Sequence, residues 1–225
     1  MMVFRHPALK RTTGRVRWLF AAALPVILAW ACSSSTAAIT PPPSPSTLVG
    51  YIGCSNTWQT VAGYHDFAGG TNIWEADQNY GGGDVVSWAA DLSNSNSYWS
   101  EFAKLYARHP ETKTLWIQFC VKSFSTYDQA YSAAVSMISE AKRRVPGAAI
   151  YISGLNDFSP PDICQNSGPS VTVYSRQIAD SLSTIGLARK GPVLGALTRA
   201  QTSDGCHPND EGRTILGGEL KAFFQ

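Results

Sequence analysis

From about residue 48 onward, short apolar runs alternate with longer stretches of helical periodicity. "TLVGYIG" (47–53), "TLWIQFCV" (114–121) and "AAIYISG" (148–154) are bounded by polar or turn residues and predict buried parallel strands. "PVLGAL" (192–197) predicts a fourth. Thr126 heads a capping box with Gln129, and Tyr131, Ala134, Val135, Ile138 and Val145 follow at helical spacing until Pro146 and Gly147 stop the helix. Val171, Tyr174, Ile178, Leu182 and Ile185 make a second helix, closed by Gly186, and residues 97–108 predict another. A last helix begins after Asn209, with Asp210 and Glu211 in its first turn, where the helix dipole favours negative charge. Ile215, Leu216, Leu220 and Phe223 are its expected inward face. This alternation predicts an α/β domain, a parallel sheet with helices on both faces and a ligand site at the carboxyl ends of the strands. Ser55 stands just past the end of the first strand.

The charge pattern changes the picture at the N-terminus. Residues 1–31 carry Arg5, Lys10, Arg11, Arg15 and Arg17 and no acid, then an uncharged run from Trp18 to Ala31. This order reads as a signal peptide, and the run is shorter than the roughly 20 apolar residues of a membrane span. It ends in "LAWAC", where Ala29 and Ala31 fit a small-residue cleavage site and Cys32 follows directly. Two readings stand: lipid on the Cys32 sulfur, as in a bacterial lipoprotein of the cell envelope, or plain secretion. Residues 32–47 are Ser/Pro-rich, cannot bury a core and serve as a stiff linker. Residues 48–225 suffice for one domain. The whole chain has 18 basic and 16 acidic residues, and without the five basic residues of the signal 13 face 16, a net charge of −3. No electrostatic case for nucleic acid remains.

Candidate chemistry gathers at the two ends of the domain. In "SDGCHPNDEGRTILGGEL" (203–220), Asp204 and His207 lie three apart on the loop leading into the last helix. At that spacing the carboxylate can accept a hydrogen bond from one imidazole nitrogen and leave the other as a base, while Pro208 fixes the backbone behind it. A serine is unreactive until a positioned base takes its proton, and Ser55, His207 and Asp204 supply the three parts.

Together these residues resemble the SGNH (GDSL-like) hydrolase family over most of 48–225, with "GCSNT" at the family's serine position and "DGCHPN" at its D-x-x-H-P motif. The resemblance implies a flavodoxin-like three-layer α/β/α sandwich. It also implies that Ser55 is the nucleophile, His207 the general base and Asp204 its orienting acid. A nucleophile so early separates the chain from the ordinary α/β-hydrolases, whose G-x-S-x-G elbow sits mid-domain. The chain departs from the family in two places. Cys54 stands where the family usually has Asp. The family's oxyanion glycine is sought in "NYGGGDVVSW", with Gly83 first and Gly82 next. Its oxyanion asparagine belongs to a G-x-N-D motif after the third strand, yet "SGLNDF", offering Gly154, Asn156 and Asp157, follows what reads as the fourth. The end of "TLWIQFCVK" offers Gln118, Cys120 or Lys122 instead. Asn156 and Gln118 therefore both stand as candidate oxyanion donors.

Cys32 apart, Cys54, Cys120, Cys164 and Cys206 form an even set in an exported domain and imply two disulfides, with three pairings open. In the family's 2-1-3-4-5 sheet the first and third strands are neighbours, which favours Cys54 with Cys120 and Cys164 with Cys206. The spacing lacks the paired ligands of a zinc site, and the reading requires no metal or cofactor. Trp58, Trp74, Tyr80 and Trp88 either line a sugar or acyl pocket or belong to the core, and His65 and His109 are expected at the surface. The expected protein is an exported, monomeric serine esterase or acyl hydrolase. Its substrate would be a small-molecule, lipid or glycan carboxylic ester, and its only membrane contact a lipid on Cys32. The alternatives are an acyltransferase and a catalytically degenerate carbohydrate- or lipid-binding module on the same fold.

Overall fold

Among the described residues, four parallel strands lie in the order β1 (Val49–Ile52), β2 (Thr114–Phe119), β3 (Ala149–Gly154) and β4 (Arg189–Lys190). The register sets Ile52 beside Ile117 and Gln118 beside Ser153. Every residue of β1 and β2 is buried, as expected of a parallel sheet covered on both faces. The structure, a computed structural model, describes residues 47–78, 83–92, 97–164 and 168–225. The signal segment, Cys32, most of the linker, Tyr80 and Gly82 lie outside the described residues.

On the far side of β1, Val49 makes a single parallel bridge with Ile73. Ile73 thus occupies the second-strand position of a 2-1-3-4-5 sheet, and β2 takes the third, beside β1. The helices are α1 (Ser55–Asp66), α2 (Val85–Ala90), α3 (Ser97–Arg108), α4 (Tyr127–Arg144), α5 (Gly168–Thr184) and α6 (Asp210–Phe224). They complete a flavodoxin-like α/β/α sandwich. α6 lays Phe224 against Trp116 of β2 and Tyr151 of β3. α5 packs so closely behind β3 that a Cβ on Gly154 would lie 2.8 Å from the Arg176 backbone. α4 begins as predicted, with Thr126 Oγ1 accepting the Gln129 N–H at 3.2 Å and Gln129 Oε1 accepting the Thr126 N–H at 3.0 Å.

The fourth strand differs from the expectation. Pairing with β3 is confined to Arg189–Lys190, ahead of the apolar run at 192–197. Gly191 N–H still donates to the Ile152 carbonyl at 2.8 Å, but Pro192 has no N–H to continue the ladder. Its carbonyl accepts from Ser153 Oγ at 2.7 Å. Leu194 and Leu197 are nevertheless buried, so the apolar pattern marks core packing without a regular ladder.

α1 and α6 cross at glycines. A Cβ on Gly63 would lie 2.0 Å from the Arg213 carbonyl oxygen, and one on Gly217 would lie 2.3 Å from the Gly63 carbonyl carbon. The obstructing atoms are backbone and cannot swing aside. Gly63→Ala is expected to destabilise the domain by about 1–3 kcal/mol, the usual range for overpacking. Thermal or denaturant unfolding of the variant measures this.

Candidate active site

Ser55 sits at the first position of α1, directly after β1, Gly53 and Cys54. Trp88 Nε1 donates to the Gly53 carbonyl at 2.9 Å, so α2 holds the turn from outside. Cys54 is joined to Cys120 just beyond β2, with Cα atoms 6.1 Å apart. The second disulfide joins Cys164 to Cys206, Cα atoms 4.4 Å apart, and ties down the loop that carries His207. Both pairings are those favoured from the sequence, and they fit an oxidising, extracytoplasmic compartment. No helix among the described residues is long and apolar enough to cross a membrane.

The two ends of the domain meet here. His207 Nε2 lies 2.8 Å from Ser55 Oγ, and His207 Nδ1 lies 2.6 Å from Asp204 Oδ2. Asp204 Oδ1 accepts the amides of Cys206 and His207, each at 2.8 Å. Partial burial pushes the Asp204 pKa up, but the His207 amide, the His207 ring and the Cys206 amide outweigh it and hold the carboxyl at about 2. An ionised carboxylate only accepts, so Nδ1 carries a proton towards Asp204, and in the neutral imidazole Nε2 then presents its lone pair to the Ser55 hydroxyl. Behind the histidine, Asn209 caps α6 by accepting the Gly212 N–H at 3.1 Å, and its amide donates to the Ala200 carbonyl at 2.7 Å.

The depressed Asp204 pKa has a consequence for stability. The unfolded carboxyl titrates near 3.9, so the native contacts of the ionised form stabilise the fold fully above that pH. Their contribution is lost as pH falls from about 4 towards about 2. Asp204→Asn removes this component. Thermal midpoints measured across that interval should fall less steeply in the variant than in the parent protein. The side chain is 53 % exposed, which screens the effect and keeps it modest.

Of the oxyanion candidates in the described residues, Cys120 is bound in the disulfide and the Lys122 ammonium lies over the Phe124 ring, 5.9 Å from its centroid, which leaves Gly83, Asn156 and Gln118. Gly83 is buried just before Asp84, the N-cap of α2, and a Cβ there would lie 2.8 Å from the Trp88 indole nitrogen. It therefore packs on the same ring that holds Gly53, and the Val85 N–H donates to the Cys120 carbonyl at 2.9 Å. Asn156 follows β3 and is fully buried. Neither its Oδ1 nor its Nδ2 has a hydrogen-bond partner among the described residues. Gln118, also fully buried, spends Oε1 on the Thr57 hydroxyl, whereas its Nε2 has no partner among the described residues.

The aromatic candidates divide. Trp74 and Trp88 are wholly buried core residues: Trp74 donates to Thr112 Oγ1 at 2.9 Å, and Trp88 meets Trp99 edge-on at 4.8 Å. Trp58 is partly exposed and lines an open groove of about 610 Å³ with His65, Asp66, Glu75, Asp77 and Arg213. His65 and His109 are more tightly held than a surface placement implies. The His65 ring nitrogens face the Gly70 and Trp74 carbonyls, each at 3.0 Å. His109 Nε2 lies 2.6 Å from Glu75 Oε2, and the ring stacks on Trp74. The sequence reading passed over α1, α2 and Thr57. The position of Thr57, three residues after the helix cap, was the available signal.

No protein-family profile matches the chain, and no curated protein matches it in sequence. Solved structures do match. A Streptococcus pneumonia protein provisionally named a platelet activating factor aligns with TM-score 0.56 at 13% identity, over 84% of this chain and 87% of that one. A family 2 carbohydrate esterase with its carbohydrate binding domain, from Corynascus thermopiles, gives 0.51 at 13% identity, over 82% and 67%. A Parabacteroides merdae protein provisionally named a GDSL-like lipase gives 0.47 at 15% identity, over 83% and 98%. At these identities the likeness shows a shared fold, the α/β/α sandwich of the Streptococcus protein and the carbohydrate esterase. Within that fold, Ser55 follows the first strand and His207 precedes the last helix. The "GLND" segment follows β3, which is fourth in the sheet once Ile73 is counted as the second strand.

Proposed function

We propose that the protein is an exported serine esterase that cleaves carboxylic esters through Ser55, His207 and Asp204. The reading is carried by the continuous chain from Ser55 Oγ to His207 Nε2 at 2.8 Å and from His207 Nδ1 to Asp204 at 2.6 Å. His207 takes the Ser55 proton as Oγ attacks the ester carbonyl, and the carbonyl electrons move onto oxygen. The Ser55 amide, at a helix start with no intrahelical acceptor, joins the Gly83 amide in receiving that oxyanion. The partnerless, buried Asn156 amide supports it as the third donor, because a buried polar group without a partner costs about 1–3 kcal/mol. Gln118 Nε2 is likewise buried without a partner among the described residues, so it stands as the alternative third donor.

His207 then passes its proton to the departing alkoxide, leaving an acyl-serine. Water, deprotonated by His207, attacks the acyl carbon; the Ser55–acyl bond then breaks as His207 returns that proton to Ser55 Oγ, releasing the acid. The substrate is a small-molecule, lipid or glycan ester, no metal or cofactor enters the reaction, and the protein works as a monomer. Cys32 either carries a lipid that holds the domain at the cell envelope or opens a secreted chain. The test is hydrolysis of p-nitrophenyl esters of increasing chain length, with Ser55→Ala as control. An inactive parent protein would favour the binding-module reading, and transfer to an added alcohol in preference to water would make it an acyltransferase.

A further inference from the structure

We infer that Thr57 and Gln118 form a positioning pair that holds the Ser55 turn in its reactive geometry. The inference rests on the reading of Ser55 as nucleophile. A helix is ordinarily capped by the side chain just before its first residue. Here that side chain is Cys54, whose sulfur is bonded to Cys120. Thr57 takes over the task from one turn along: its hydroxyl oxygen accepts the Cys54 N–H at 2.9 Å and donates its proton to Gln118 Oε1 at 2.7 Å. The Cys54 N–H can only donate, and of the two acceptors the hydroxyl faces, Gln118 Oε1 at 2.7 Å is much nearer than the Cys54 sulfur at 4.0 Å, so its one proton goes to Gln118. The Gln118 carbonyl orients the Thr57 hydroxyl, and the Thr57 lone pair holds the Cys54 amide.

The arrangement is dry and tight. Thr57 and Gln118 are both 0% exposed, and such chains strengthen when water is excluded. Gly53 leaves the space the hydroxyl needs, because a Cβ there would lie 2.0 Å from Thr57 Oγ1. Gln118 Nε2 has no partner among the described residues, so among them the Thr57 hydroxyl is the one partner that fixes the amide. Since Gln118 stands two residues before Cys120, the end of β2 grips the turn twice, once through sulfur and once through this hydroxyl. Removing the hydroxyl strands the Cys54 N–H and Gln118 Oε1 and lets Ser55 Oγ drift from His207 Nε2. A displacement of 1 Å at a reacting group costs about 100-fold in rate.

Thr57→Val keeps the side-chain shape and removes the hydroxyl. It should lower kcat by about 10- to 100-fold with KM within about twofold, and slow fluorophosphonate labelling of Ser55 in parallel. Thr57→Ser should restore both to within about threefold of the parent, and Gln118→Met should act in the same direction as Thr57→Val. The Thr57→Val/Gln118→Met double variant should lose no more than Thr57→Val alone, because the two residues act through one another. Unchanged kcat and labelling rate in folded Thr57→Val overturn the inference, as does a Thr57→Ser as slow as Thr57→Val. Should Thr57→Val not fold, an unchanged kcat in Gln118→Met overturns it equally. A parent protein that fluorophosphonate does not label at Ser55 fails a different reading, that of Ser55 as nucleophile.

Discussion

Ser55→Ala should lower ester hydrolysis by at least about 10⁴-fold while leaving the thermal midpoint close to that of the parent, and His207→Ala should do the same. The size follows from cooperation: an alanine leaves His207 with no hydroxyl to activate, and a serine without its base is a poor nucleophile at neutral pH. The combined variant should be hardly slower than either single one, because residues acting as a unit lose their effect together. Ser55 is only half-buried and its hydroxyl is bonded to His207, so the truncation opens no large cavity. Rates on p-nitrophenyl esters, read beside melting curves, separate lost chemistry from lost fold. Wild-type rates in Ser55→Ala would move the reaction to another nucleophile.

The second large effect belongs to the Cys54–Cys120 bond. It closes a sequence separation of 66 residues, for which the chain-entropy model gives about 4 kcal/mol of stabilisation. Replacing both cysteines by alanine should cost about that much in urea unfolding, a large share of the roughly 5–15 kcal/mol that a domain possesses. kcat should fall as well, because the bond joins the nucleophile turn to the end of β2. Peptide mapping without reduction should recover Cys54 linked to Cys120 and Cys164 linked to Cys206. A loss well under 1 kcal/mol would mean that the reduced turn is already held by its other attachments, the Trp88 bond to Gly53 and the Thr57 hydroxyl.

Legibility followed the physics of each signal. β1, β2 and β3 stood out because strands buried on both faces must be apolar throughout, and α4 because its cap and periodicity agree. The run at 192–197 misled because apolar side chains report burial, whereas a ladder needs N–H groups, and Pro192 supplies none. Ile73 left no strand signal at all, since one bridged residue has no period. Ser55, Asp204 and His207 were readable because they sit at fixed places relative to the first strand and the last helix. For Trp74 and Trp88 a pocket and a core place both stood open, because sequence shows neither which side of an indole is covered nor by what. The Thr57–Gln118 bond was hidden for a different reason: it joins a helix to a neighbouring strand, and sheet order, which favoured Cys54 with Cys120, does not say which side chains of the two elements meet.

Ser55 and His207 come together across 152 residues, at the start of the first helix and just ahead of the last. Synthesis therefore delivers Ser55 long before His207, and on the proposed reading a nascent chain that stops short of residue 207 lacks its base. Contacts of such separation form slowly, because loop-closure entropy must be met before they contribute anything. On the proposed reading, recovery of esterase activity after dilution from denaturant reports the meeting of Ser55 with His207 and should lag behind the return of helical signal.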